Sequence, residues 1–299
     1  MPKELTHWII AERALERVPP VTPLGEMLRS HRKLYLAGAV LPDTLLHLVR
    51  GHDSQKALSL AHRFHDPADN SYAPRIRAEE LHGSPLPPPL LACFLGVLCH
   101  MQADIILHPF VYARSGTGEI AGHYRIETSI DMYFQAKGIV PPVKRLDELV
   151  TPETGGTLLE TCSLLFDPDQ TLPPRSMNKA LRLHCHFQAL YGSMFWRIAA
   201  RILGRLNIAR IRQQQHLFYP VFAGKTELNL LEGKWRHPVT GEIREESVDN
   251  LAERAVLRTV DLIEKTAESG LLGASLAITP GENLLTGLHG VQQKCLLSG

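Results

Sequence analysis

The chain has 299 residues, of which 44% are hydrophobic, so it can bury a sizeable core and is not an intrinsically disordered protein. Its 32 Lys and Arg residues balance 31 Asp and Glu residues, which gives no support to a general binder of nucleic acid or of anionic membranes. The five cysteines are widely spaced and no apolar signal core follows the first residues, so we predict a soluble, reduced, cytoplasmic protein.

The first predicted elements are two helices that end in a turn of small residues. Thr6 is predicted to cap the first helix, and the second is predicted over about 24–36. Gly38 then allows a close approach of backbone, and Pro42 forces a turn before Asp43. Asp43 is therefore either a rigidly aimed functional carboxylate or an ordinary helix N-cap, and the sequence leaves both interpretations open.

A histidine-rich stretch follows this turn and precedes a predicted loop. His62 and His65 lie near the end of a predicted helix, where one of them is a candidate metal ligand and the other is expected to be exposed. Residues 66–89 contain many Pro, Asp, Asn and Ser residues, so we predict a surface loop there.

An apolar run over about 90–113 is predicted to be the central helix. It carries His100, Asp104 and His108 at intervals of four residues, which places the three side chains in one sector of a helix. Such groups are costly to bury unless they are paired or bind a metal. The same three residues are expected to make this run too polar to span a membrane.

A second ligand-bearing helix is predicted from residue 123 to about 137, with His123 and Glu127 again four residues apart. Two helices that each present histidine and carboxylate at this spacing predict a metal site between them. Nitrogen and oxygen ligands favour zinc over iron or manganese. For His100 alone, the alternative is a hydrogen-bonded core histidine, but the two pairs together make this the weaker interpretation.

The rest of the chain is predicted to contain a linker or long loop at 141–157, a long helix at about 178–206, a loop-like stretch at 224–246 and a helix at about 247–267. His184, Cys185 and His186 point in different directions around a helix and cannot easily share one metal, so they are treated as core and surface residues. Strand signals are few, so the predicted fold class is all-α. We predict one domain over 1–299, with 223–299 as its C-terminal extension.

The candidate residues resemble the pattern of the zinc-dependent phospholipase C family, whose wider superfamily includes single-strand-specific zinc nucleases. The resemblance is strongest over residues 6–135 and implies a multi-helix bundle with the metal site between helices. It rests on His7, Gly38-x-x-x-Pro42-Asp43, His62 or His65, His100-x-x-x-Asp104-x-x-x-His108-Pro109 and His123-x-x-x-Glu127.

The resemblance implies two or three zinc ions. The first would be held by Asp43, His100, Asp104 and one of His62 and His65. The second would be held by His108, His123 and Glu127. Asp104 would bridge to a third zinc that also takes His7, with water or a side chain such as His47 or His52 completing its ligands. Asp43 is also implied as the catalytic general base that orients the attacking water.

The function predicted from this resemblance is hydrolysis of a phosphodiester bond in a small molecule or a phospholipid, with in-line attack by a metal-activated water. Nucleic acid is not an expected partner. One alternative is a non-catalytic binding protein in which metal ions only hold the helices together. However, the set of His108, His123 and Glu127 leaves one coordination position open, as catalytic zinc sites do. The other is a nuclease-like phosphodiesterase, which the 6% aromatic content and the balanced charge disfavour.

Overall fold

The computed structural model describes residues 3–83, 85–116, 118–205, 213–221, 228–269, 272–277 and 279–296. Its regular structure is almost entirely helical, which confirms the predicted all-α class. The α-helices are α1 (Glu4–Arg17), α2 (Pro23–Ser30), α3 (Arg32–Gly38), α4 (Ser54–His65), α5 (Ala73–His82), α6 (Pro88–Ser115), α7 (Ile120–Ala136), α8 (Pro152–Phe166), α9 (Pro174–Gly192), α10 (Met194–Leu203), α11 (Val248–Ser269) and α12 (Leu272–Leu276).

Shorter elements complete the described fold. Single-turn or slightly longer 3-10 helices span Leu41–His47, Leu146–Glu148, Gln215–Leu217 and Gln293–Cys295. Two short antiparallel strands, β1 (Trp235–Arg236) and β2 (Ile243–Arg244), form a hairpin within the stretch predicted to be loop-like.

The central helix α6 organises the bundle, since α1, α3, α7, α8 and α11 all pack against it. By length and apolar composition alone α6 would suit a membrane-spanning helix, so the expectation that it is too polar for one is wrong. However, 94% of its apolar window is buried inside the protein. Its apolar character is therefore accounted for by its place in the core.

Helices α3 and α6 approach each other most closely at two glycines. A Cβ on Gly96 would lie 2.0 Å from the Tyr35 carbonyl oxygen, and one on Gly38 would lie 2.2 Å from the Cys93 carbonyl oxygen. This contact confirms the close backbone approach predicted at Gly38. It also holds the segment that leads to Asp43 against the helix that carries the candidate ligands.

We expect Gly96→Ala to lower the free energy of unfolding by about 1–3 kcal/mol, because the added methyl group would force two backbones apart. Gly155→Ala in α8 is the matched control, since a Cβ there would meet no atom within 4 Å. Alanine at an unhindered helical position is neutral or slightly stabilising. Urea unfolding of the three proteins measures the difference, and equal midpoints for the two variants would contradict the close approach.

Several predicted boundaries in the first third of the chain are wrong. Helix α1 begins at Glu4 with Lys3 as its N-cap, and the hydroxyl of Thr6 donates a hydrogen bond to the Asp131 carboxylate instead of capping the helix. The predicted second helix is broken into α2 and α3 at His31. Asp43 lies inside the 3-10 helix Leu41–His47, whose N-cap is Val40. Asp43 is therefore not an ordinary helix N-cap.

Two helices occur where loops are predicted. The segment 66–89 contains α5, and the segment 141–157 includes the beginning of α8. Helix α5 is polar, and tertiary contacts attach one face of it to the bundle: the buried Arg75 lies over the Phe64 ring, and Glu79 accepts a hydrogen bond from the backbone N–H of Leu272.

The predicted long helix at 178–206 is two helices, α9 and α10, separated at Ser193. Its predicted end at residue 206, and residues 224–227 of the loop-like stretch, lie outside the described residues. The last long helix agrees with its prediction, and the hydroxyl of Ser247 accepts a hydrogen bond from the Asn250 N–H. This helix, α11, packs on α1 as well as on α6, which attaches the C-terminal part to the bundle.

Candidate metal centre

Helix α6 places its three candidate ligands in the interior of the protein. The side chains of His100, Asp104 and His108 have no exposed surface. Four other elements direct the remaining candidates toward this face of α6. They are α1 with His7, the 3-10 helix with Asp43, α4 with His65, and α7 with His123 and Glu127.

Asp104 lies at the centre of the cluster. Its Oδ2 is 3.1 Å from His100 Nε2 and 4.0 Å from His65 Nε2, and its Oδ1 is 3.5 Å from His7 Nε2. Its Oδ2 is also 3.8 Å from His108 Nδ1. This carboxylate therefore adjoins imidazoles from three separate helices, as a bridging ligand would have to.

Asp43 forms the second acidic point of the cluster. Its Oδ1 lies 3.4 Å from His65 Nε2 and 3.8 Å from His100 Nε2. The side chain of Asp43 is 11% exposed, whereas that of Asp104 is fully buried. Asp43 is thus the carboxylate on the solvent side of the cluster.

The structure distinguishes the two histidines at the end of α4. His65 is buried and faces both carboxylates, whereas His62 is exposed and takes no part in the described clusters. The inclusion of His62 among the candidate ligands is therefore corrected. In an α-helix, two side chains that are three residues apart point in directions that differ by about 60°. This difference separates the His62 and His65 rings at this edge of the bundle.

We expect His65→Ala to remove at least one bound metal ion per chain, while His62→Ala keeps the metal content of the unaltered protein. Both substitutions remove an imidazole from the last turn of α4, so the pair is matched in helix propensity. Metal analysis of the purified variants measures the difference. Equal losses in the two variants would contradict the assignment of His65.

Backbone carbonyl groups fix the orientation of three of these histidines. The Nδ1–H groups of His65, His100 and His108 donate to the carbonyl oxygens of Ala61, Ala39 and Leu284, at 2.8, 2.9 and 2.7 Å. In each neutral ring the lone pair is then on Nε2. Metal-binding histidines are commonly anchored in this way. Sequence analysis missed these carbonyl groups, since a backbone acceptor leaves no signal in residue type.

The candidate ligands form three compact groups, and within each group one ligand atom per residue lies within 4.8 Å of the others. The groups share members, because His100 belongs to the first two. They are His7, Asp43 and His100; His65, His100 and Asp104; and His108, His123 and Glu127.

The charge states of the buried side chains in the cluster favour the binding of a cation. Burial lowers the pKa of His7 and of His108 to about 3, so both imidazoles are neutral at pH 7. Burial opposes ionisation of Asp104, but the neighbouring His100 and His108 outweigh it and hold the pKa of this carboxyl well below its usual range. Burial opposes protonation of His100, but Asp104 and Asp43 outweigh it and raise the pKa of its imidazole, so the two carboxylates attract positive charge, either a proton or a metal ion.

Unsatisfied polar atoms test whether these residues fit a metal. Several buried atoms in the cluster have no hydrogen-bond partner among the described residues. They are both ring nitrogens of His7, Nε2 of His65, His100 and His108, both carboxylate oxygens of Asp104, and Oδ1 of Asp43. So many unpaired buried polar atoms would be costly in a metal-free core. The donor set therefore fits zinc.

The two side chains considered as extra ligands beside His7 do not join that group. His52 is fully exposed and contacts Asp53. His47 groups with Glu4 and His184, and its ring stacks on His184 with centroids 4.1 Å apart. His184 is buried, and its proximity to Glu4 and His47 was missed in the sequence.

The protein is all-α, and its helices enclose buried clusters of histidine and carboxylate side chains. It is therefore a helical protein with a candidate site for more than one metal ion. A model of the family described as zinc dependent phospholipase C matches residues 6–163, which is more than half of the chain and includes every predicted ligand. The chain belongs to the zinc-dependent phospholipase C family. No curated protein and no solved structure matches it.

Proposed function

We propose that this chain hydrolyses the phosphodiester bond of phospholipids with a centre of two or three zinc ions. One observation carries the proposal: His65 and His100, both anchored through Nδ1, turn unpaired Nε2 atoms toward the carboxylates of Asp43 and Asp104. Family membership supports a hydrolase of the phospholipase C type.

The proposed ligands form the sets that the family resemblance implies. His65 is the ligand chosen from the pair His62 and His65. The first zinc would be held by Asp43, His65, His100 and Asp104. The second would be held by His108, His123 and Glu127. A third would be held by His7 and by Asp104.

Zinc bound at these ligands would supply a water of lowered pKa and would neutralise negative charge on the phosphate. The chain's own contribution to proton transfer is assigned to Asp43. Its Oδ1 faces His65 and His100, and its partial exposure allows contact with an incoming water. Asp43 takes a proton from this water as its oxygen bonds to phosphorus, and returns the proton to the glycerol oxygen as the bond from phosphorus to that oxygen breaks. The products are a phosphorylated head group and diacylglycerol.

Helix α10 favours a phospholipid in a lipid surface over a soluble phosphodiester. The helix contains no buried residue and no acidic residue, and Arg201 near its end is exposed. Aromatic and aliphatic side chains combined with arginine suit a helix that binds at a lipid interface. Its exposed large apolar side chains are Met194, Phe195, Trp196, Ile198, Ile202 and Leu203.

The test compares two substrates on zinc-loaded protein: phosphatidylcholine in vesicles that contain anionic lipid, and the soluble bis(p-nitrophenyl) phosphate. We expect release of diacylglycerol from the vesicles. A double variant, Phe195→Ser with Trp196→Ser, is expected to lose vesicle hydrolysis and keep its rate on the soluble substrate. Hydrolysis of neither substrate would favour the metal-stapled, non-catalytic alternative. An unchanged rate on vesicles in the double variant would contradict the role of α10.

The proposed location is the cytoplasm. All five cysteines are free thiols in the structure, and Cys93, Cys99 and Cys162 are buried. Free thiols support a reducing compartment. Fluorescence microscopy of the full chain fused to a reporter tests this location, and a signal outside the cytoplasm would contradict it.

A further inference from the structure

We propose that Glu4, His47 and His184 form an additional zinc site beside the phospholipase C centre. One ligand atom from each of the three residues lies within 4.8 Å of the other two. Glu4 and His184 are buried, and His47 is half-buried. Glu4 and His184 lie outside the 6–163 span of the family match, so this site is separate from the family pattern.

Distances in this group are those of ligands around an ion and not those of a hydrogen bond. Glu4 Oε1 lies 3.6 Å from His184 Nε2. A separation of 3.6 Å is too long for a nitrogen–oxygen hydrogen bond. Two ligands bound to one tetrahedral zinc at about 2.0–2.1 Å would be about 3.3 Å apart. His184 Nε2 is buried and has no hydrogen-bond partner among the described residues.

Both imidazoles are anchored through the nitrogen that a metal would not use. The Nδ1–H of His47 donates to the Asp43 carbonyl oxygen at 3.0 Å, which leaves the lone pair of the neutral ring on Nε2. His184 Nδ1 is hydrogen-bonded to the Thr44 hydroxyl at 3.1 Å. The two rings are stacked with an angle of 13° between their planes, so one ring would turn about its Cβ–Cγ bond to bring both in-plane lone pairs to one ion. His47 is thus anchored to a backbone carbonyl oxygen, as the histidines of the neighbouring centre are, whereas His184 is anchored to a hydroxyl group.

The nearby cation of Lys3 is occupied elsewhere. Its ammonium group donates to the Leu217 carbonyl oxygen and lies 4.4 Å from the centroid of the Tyr191 ring and 4.8 Å from that of Tyr219. Glu4 is thus available as an anionic ligand.

The position of the group would let one ion link three elements of the fold. Glu4 is one helical turn before His7 on α1, and His47 is one turn after Asp43 on the 3-10 helix. His184 comes from α9, which packs against this 3-10 helix. An ion here would join α1, the 3-10 helix and α9, and would fix the backbone that positions Asp43. Two nitrogen ligands and one oxygen ligand favour zinc, with water in the fourth position.

The test is the zinc content per chain of the full-length protein, measured by plasma mass spectrometry after purification without chelator. We expect Glu4→Gln and His184→Gln each to lose one zinc per chain. His186→Gln is the matched control, since His186 is exposed on the same helix two residues away. An unchanged zinc count in both cluster variants would overturn the proposal.

A second variant protects the test against misfolding. His47 lies at the half-buried rim of the group, so His47→Gln is expected to fold and to lose the same single zinc. Circular dichroism verifies the fold of each variant. Retention of the full zinc count in folded His47→Gln would also overturn the proposal. The readout is independent of the proposed hydrolysis, because stoichiometry is counted whether or not a phosphodiester is cleaved.

Discussion

Asp104→Asn is expected to abolish phosphodiesterase activity and to release at least one zinc ion per chain. Asp104 is fully buried, and its two oxygens lie within 3.1–4.0 Å of imidazole nitrogens from α1, α4 and α6. An amide keeps the shape of the side chain but replaces one oxygen with a group that cannot bind a metal, and it removes the negative charge. Loss of groups that merely support a ligand costs about 10–100-fold. For a bridging ligand we therefore expect a loss of at least about 10³-fold.

The matched control is Asp131→Asn, another buried aspartate in the same bundle. Asp131 accepts hydrogen bonds from Thr6 and Tyr219 and belongs to none of the described candidate metal groups. Burial raises the pKa of its carboxyl to about 6, so a neutral amide removes the cost of burying this charge. Asp131→Asn should keep its zinc and its activity. Full zinc content and full activity in Asp104→Asn would show that the bridging assignment is wrong.

Much of the centre could be predicted because its strongest signal is local. His100, Asp104 and His108 repeat every fourth residue within one apolar helix, and His123 and Glu127 repeat the pattern in the next ligand helix. Helical geometry converts this spacing into a common face without knowledge of the rest of the fold. Family resemblance then supplied the ligands that come from other elements.

What could not be predicted depends on tertiary packing. His62 and His65 have the same local signal, and only the position of α4 beside Asp43 separates them. The proximity of Glu4 and His184 depends on the packing of α9 against the 3-10 helix Leu41–His47. No spacing along the sequence predicts this packing. Helix α5 was missed for a related reason. Its polar sequence is typical of a loop, and its stability comes from contacts that bury charged side chains.

Removal of zinc with a chelator is expected to lower the thermal unfolding midpoint and to abolish activity together. Without a cation, the buried carboxylates of Asp43 and Asp104 face each other across imidazoles whose Nε2 atoms lack hydrogen-bond partners. Each buried unsatisfied group costs about 1–3 kcal/mol. Several such groups together cost about 5 kcal/mol, which corresponds to a fall in the midpoint of about 10–20 °C for a chain of this size.

Calorimetry before and after dialysis against chelator measures this fall, and metal analysis verifies that the zinc has been removed. Added Zn²⁺ should restore both the midpoint and the activity. Mg²⁺ should restore neither, because it binds oxygen ligands and the centre is dominated by imidazole nitrogen. An unchanged midpoint in protein verified to be zinc-free would mean that the buried clusters are stable without a cation. The unpaired Nε2 atoms, on which the zinc assignment rests, would then require another explanation.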